Sequence, residues 1–172
     1  MGRTTELRRE LKRVFLPLLE GKGFTVDTTA APAFTAFRRK AVDSVHVVEI
    51  QWDKYGRPRF VINFGKCPLE GLYVRGQLVS PSQVYAGWLE ESGRLQPRHG
   101  NSSTNWFSQE KHWLRRLLDV ERLRQPSEVV EDLLRLFPEV EAYLESCVVG
   151  EHIRIFRIPR EVPDSGGRRT SV

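Results

Sequence analysis

The sequence predicts an α+β fold: an N-terminal helix, then an antiparallel four-to-five-stranded sheet, with C-terminal helices packed on one face. Three observations carry this. Apolar residues recur at helical spacing over 4–22 and again over 126–147. Between 24 and 66 the pattern switches to a period of two. The segment DKYGRP (53–58) sets Asp, Gly and Pro between two such runs, which is hairpin chemistry. At 172 residues the chain is long enough to bury one core without disulfides or metal. Residues 1–158 are read as a single α+β domain and 159–172 as a disordered tail with little to bury.

The elements follow in order. Leu7, Leu11, Val14, Phe15, Leu18 and Leu19 give the first helix its apolar side, and Arg8, Arg9, Lys12 and Arg13 much of the other. Gly21 or Gly23 ends it, and Pro17 predicts a kink or a short last turn. Strands are expected at 24–28, 34–40, 45–52 and 59–65, with one face under helices and the other at least partly wet. Residues 66–81 read as loop with a short strand over 72–78. Ser80-Pro81-Ser82-Gln83 reads as a helix start, and the helix runs through Val84, Tyr85, Trp88 and Leu89 to Gly93. Residues 94–107 are a polar loop. Ser108 opens a helical or irregular segment, Pro126 and Ser127 open the last clear helix, and Pro138 breaks or restarts it. Ile153 and Ile155 mark a late strand.

Composition bounds the function classes. The net charge of +5 and the 21 Arg against 6 Lys permit an acidic or nucleic-acid partner without requiring one. No apolar run approaches the roughly 20 residues of a membrane helix, and no secretory pattern follows the first basic residues. A cytoplasmic location is therefore expected, with Cys67 and Cys147 as reduced thiols.

The search for chemistry returns little. There is no P-loop, dinucleotide fingerprint, serine elbow or zinc-ligand spacing, so no cofactor or metal is expected. A paired carboxylate from Glu49 and Asp53 is weighed against the ordinary role of Asp in a turn. Glu49, His99 and Cys67 are the candidates for an enzyme whose site is assembled from distant residues. Tryptophans interleaved with basic residues suit single-stranded nucleic acid; core packing accounts for most of them, and Trp106 in the polar loop is the exception. Glu49, Gln51 and Asn63 share the wet sheet face, with Arg38 or Arg39 alongside, as a polar binding surface or a solvated face.

The order LLEGKGF (18–24), AFRR (36–39), VVEIQWD (47–53) and FVINFGK (60–66) resembles the bacterial domain-of-unknown-function family numbered 4304. The resemblance covers roughly residues 5–145, and the segment 67–95 departs from the pattern as an insertion would. It implies an intracellular bacterial α+β domain and no activity. It points to Arg38, Gln51, Asn63 and Gly65, and to Arg98 and Trp106–Phe107 as matches to a later Arg and a Trp-containing segment. The expected function is a non-enzymatic protein-interaction module using the polar sheet face and the 94–107 loop, with Arg38, Gln51, Asn63, Arg98 and Trp106 as contacts. A nucleic-acid binder using the basic helix and tail is the alternative.

Overall fold

A computed structural model describes residues 3–27, 34–98, 105–110 and 123–158. Helix α1 (Arg3–Gly21) buries Leu7, Leu11, Phe15 and Leu19, one per turn along a single face. It runs through Pro17 and stops where Gly23 adopts a φ of 81°. Strands β1 (Thr25–Asp27), β2 (Phe34–Lys40), β3 (Ser44–Trp52) and β4 (Arg59–Pro68) form an antiparallel meander. The β3–β4 connection is the hairpin that DKYGRP predicts. The Asp53 carboxylate accepts the Tyr55 N–H at 2.9 Å, and Gly56 sits at a φ of 73°.

Strands β5 (Leu72–Val74) and β6 (Gln77–Val79) form a separate small hairpin where a single short strand was expected. Arg75 and Gly76, both at positive φ, make its two-residue turn. Strand β7 (Glu91–Leu95) pairs with β4 on one side and with β9 (Ile153–Arg157) on the other. The two-residue β8 (Phe107–Ser108) pairs with the start of β4. Among the described residues the sheet therefore has seven strands rather than the four to five expected, in the order β1-β2-β3-β4-β7-β9 with β8 off this path. Helix α2 (Pro126–Ser146) opens on a capping box between Gln125 and Glu128 and continues through Pro138 without a break.

Both helices cover the face that carries Phe37, Val48, Ile50, Trp52, Phe60, Ile62 and Phe64, which together form the main core. Phe15 meets Phe137 edge-on at 5.0 Å, joining the two helices over it. Gly93 lets β7 lie close on this side, because a Cβ there would stand 2.3 Å from the Phe64 ring.

The helix expected over 80–93 does not form. Ser80 does start a turn: its hydroxyl accepts the Ser82 N–H and its carbonyl the Gln83 N–H. By Tyr85 the backbone is extended, with φ −87° and ψ 146°. The Ala86 N–H, which a helix would bond four residues back, goes to the Glu49 carboxylate at 3.0 Å. A single 3₁₀ turn (Ala86–Trp88) follows, and Gly93 lies inside β7 rather than at a helix end. The polar loop thus begins after Leu95, not at Arg94.

Of the remaining expectations, the helical or irregular segment after Ser108 and the tail from Pro159 lie outside the described residues, apart from the short stretches noted above. Among the described residues no helix is long and apolar enough to cross a membrane.

Candidate functional site

Side chains alternate across the sheet, so the face away from the helices is set by parity and register. It carries Phe34 and Arg38 on β2, Val47, Glu49 and Gln51 on β3, and Asn63, Gly65 and Cys67 on β4. Ser92 and Arg94 follow on β7, then Arg154 and Phe156 on β9. One end of this face is closed. Val47, Cys67, Val84, Ala86 and Leu89 form a second apolar cluster, with Leu72 and Val79 of the small hairpin against it. Gly65 makes room for this roof, since a Cβ there would meet the Leu89 Cδ1 at 2.5 Å and the Glu91 carbonyl at 3.2 Å. Arg38 pins it from below. Its guanidinium donates to Asp27 and, through Nη1, to the Val84 carbonyl at 2.9 Å.

Beside the roof the same face opens into a cleft of about 710 Å³. Its floor is a polar network on three adjacent strands. The Asn63 side-chain amide donates to the Gln51 Oε1 at 2.9 Å, while the Arg94 Nε donates to the Asn63 Oδ1 at 2.8 Å. The Arg94 Nη2 donates to the Gln51 Oε1 at 3.3 Å. The walls are aromatic. Phe34 contacts Tyr85, Tyr85 meets Trp88 edge-on at 4.8 Å, and Phe156 lies across the cleft under Arg94. Trp88 remains 42% exposed at the mouth, where a core tryptophan would not be.

Two charged groups in this cleft are held out of water. Burial lifts the Glu49 carboxyl to about 7; the Ala86 N–H and the Arg38 charge pull the other way and do not offset it. Burial first, and the neighbouring Arg154 charge second, lower the Arg94 guanidinium from its ordinary value. No carboxylate pairs with Arg94 among the described residues.

The expected site residues separate into two groups. Gln51 and Asn63 meet on the cleft floor. Arg38 and Gly65 serve the roof beside it. Arg98 is exposed beyond β7, where its carbonyl accepts the Asn105 side-chain amide at 2.8 Å. Trp106 packs against Arg59, whose Cζ lies 4.8 Å from the ring centre, and neither lines the cleft. Sequence reading missed Arg94 as a floor residue, and with it Phe34, Tyr85, Trp88 and Phe156 as walls. The alternation of Ser92, Arg94 and Gln96 was the available signal, hidden by a helix expected up to Gly93 and a polar loop expected from Arg94.

Glu49 and Asp53 do not form a carboxylate pair. Asp53, just past the end of β3, lies four residues from Glu49, on the order of 13 Å. Burial alone would raise the Asp53 carboxyl; hydrogen bonds from Arg57 and Arg59 outweigh it and hold the group far below the usual carboxylate range. Cys67 is buried in the second apolar cluster, and that burial raises its thiol, the opposite of an activated nucleophile. His99 lies outside the described residues. Among the described residues no group of His, Cys, Asp and Glu is arranged to hold a metal. No family model, curated protein or solved structure matches this chain.

Proposed function

We propose that this chain is a non-catalytic binding module that takes a small organic molecule, or one protruding group of a partner, into the cleft on the outer sheet face. The observation that carries this is Arg94: a half-buried guanidinium, fixed by Gln51 and Asn63, with no carboxylate partner among the described residues, at the floor of an aromatic-walled cleft. A volume of about 710 Å³ is in the range of small-molecule sites. A few convergent polar groups among apolar walls are what such sites use for orientation. The sheet-face half of the sequence expectation is kept. The half that rested on Arg98 and Trp106 is not needed. Amide resonances followed by NMR during titration with a library of small organic acids, amides and amines test it. Shifts grouped at Gly87, Ser92, Gly93 and Arg94 are expected; shifts confined to α1, or none, would sink the reading.

The nucleic-acid reading keeps one observation in its favour. A groove of about 390 Å³ along α1 is lined by Arg8, Arg9 and Lys12, with the Arg8 guanidinium 4.4 Å from the Trp52 ring centre. Single-stranded oligonucleotide binding that weakens steeply with salt is its signature. Salt-independent binding, or none, removes it.

A further inference from the structure

Resting on the cleft reading, we infer that the occupant is a monocarboxylate attached to a flat aromatic body, with the carboxylate on the terminal edge of Arg94 and the ring against Trp88 and Tyr85.

The guanidinium has five N–H donors. The Nε donor is committed to Asn63 and one Nη2 donor to Gln51. These two bonds occupy one edge of the fork and fix its plane. No hydrogen bond from the described residues uses the other edge, which presents one N–H from Nη1 and one from Nη2, parallel and spaced to match the two oxygens of a carboxylate. The Phe156 ring, 5.3 Å from the Arg94 Cζ, holds the guanidinium from one side. Such a clamped fork is pre-organised for planar, bidentate recognition, which a lysine ammonium would not supply.

The charge count argues for one negative charge. Among the described residues two cations line the cleft, Arg94 and Arg157. Arg157 is already paired with Glu91 at 2.8 Å. Among these residues one carboxyl, Glu49, also lines it, on the strand beyond Asn63. A polyphosphate or a nucleic-acid backbone would bring more charge than Arg94 answers and would press it against Glu49. The body of the occupant is read from the walls. Phe34, Tyr85 and Trp88 form a continuous run of rings on one side, and the 49% exposed Ile158 extends the apolar rim. Stacking and edge contacts suit an aromatic ring better than a flexible alkyl chain.

The test compares matched acids and amides by calorimetric titration: indole-3-acetate against indole-3-acetamide, and 2-naphthoate against 2-naphthamide. The acids are expected to bind about tenfold or more tightly than their amides, the scale of one charge-assisted bidentate pair. Arg94→Gln should abolish that preference, and Arg94→Lys should restore only part of it. Trp88→Ala, at an exposed position, should weaken acid and amide together. Circular dichroism of each variant confirms that it is folded. Acids and amides that bind equally well to the wild type would overturn the carboxylate assignment and leave the cleft reading standing. A preference for acids that survives Arg94→Gln would place the anchor elsewhere and overturn the role given to Arg94. No binding of either series at millimolar concentration would overturn both readings.

Discussion

Replacing Glu49 by glutamine should stabilise the protein, and by an amount that depends on pH. The carboxyl is 1% exposed, and burial lifts it from 4.5 to about 7. The folded state therefore holds the Glu49 proton more tightly than the unfolded chain does. In the wild type this contribution is fully favourable below about pH 4.5, and it is lost as pH rises toward about 7. At about 1.4 kcal/mol for each pH unit, ionised Glu49 costs the fold about 3 kcal/mol above that window. Glutamine keeps an Oε1 acceptor for the Ala86 N–H and removes the titration. The advantage of Glu49→Gln over wild type should thus grow from near zero to about 3 kcal/mol across the window, then stay level. For a domain of this size that is a rise of roughly 10 °C in Tm at alkaline pH. Urea unfolding of the two proteins, run side by side below, within and above the window, measures the difference with every other titrating group cancelled. A difference that does not change with pH would show that Glu49 titrates normally. A less stable Glu49→Gln at alkaline pH would show that the carboxylate is compensated by a charge not recognised in the cleft.

Three further outcomes follow from neighbouring geometry. Gly65→Ala drives a Cβ into the Leu89 side chain at 2.5 Å and should cost about 2 kcal/mol in chemical denaturation; Leu89→Ala in the same chain should return part of that loss. Asp53→Asn leaves Arg59, paired at 2.7 Å, and Arg57, at 3.1 Å, without their carboxylate, at a cost of about 3 kcal/mol near neutral pH. Because the Asp53 carboxyl is depressed, the wild-type advantage is present above the ordinary carboxylate range and shrinks as pH falls below it, which acid unfolding curves would show. Trp106→Ala should lose about 1 kcal/mol from its contact with Arg59 while acid binding in the cleft is unchanged in calorimetry. A loss of cleft binding would instead return Trp106 to the site.

What was legible in the sequence was local. The spacing of Leu7, Leu11, Phe15 and Leu19 encodes a helix face, and Asp53 with Gly56 encodes a turn, each without reference to the rest of the chain. The misreading of 80–93 has the same origin. Ser80 does nucleate a turn, but whether it propagates depends on where the Ala86 N–H goes, and Glu49 on a distant strand takes it. Tertiary capture of one backbone donor outweighs a local start signal. Gln51 and Asn63 could be placed on one face by parity alone. Arg94 could not, because its neighbour Asn63 is fixed only by the β4–β7 register. The aromatic walls come from three separate segments, and no spacing within any one of them reports the others.

The cleft itself is tested most directly by crystallising the protein and soaking the crystals with aromatic acids and neutral fragments. The account predicts bound rings beside Trp88, and carboxylates in bidentate contact with Arg94 while its bonds to Gln51 and Asn63 persist. An empty cleft in crystals whose α1 groove at Arg8 and Trp52 fills instead would contradict it.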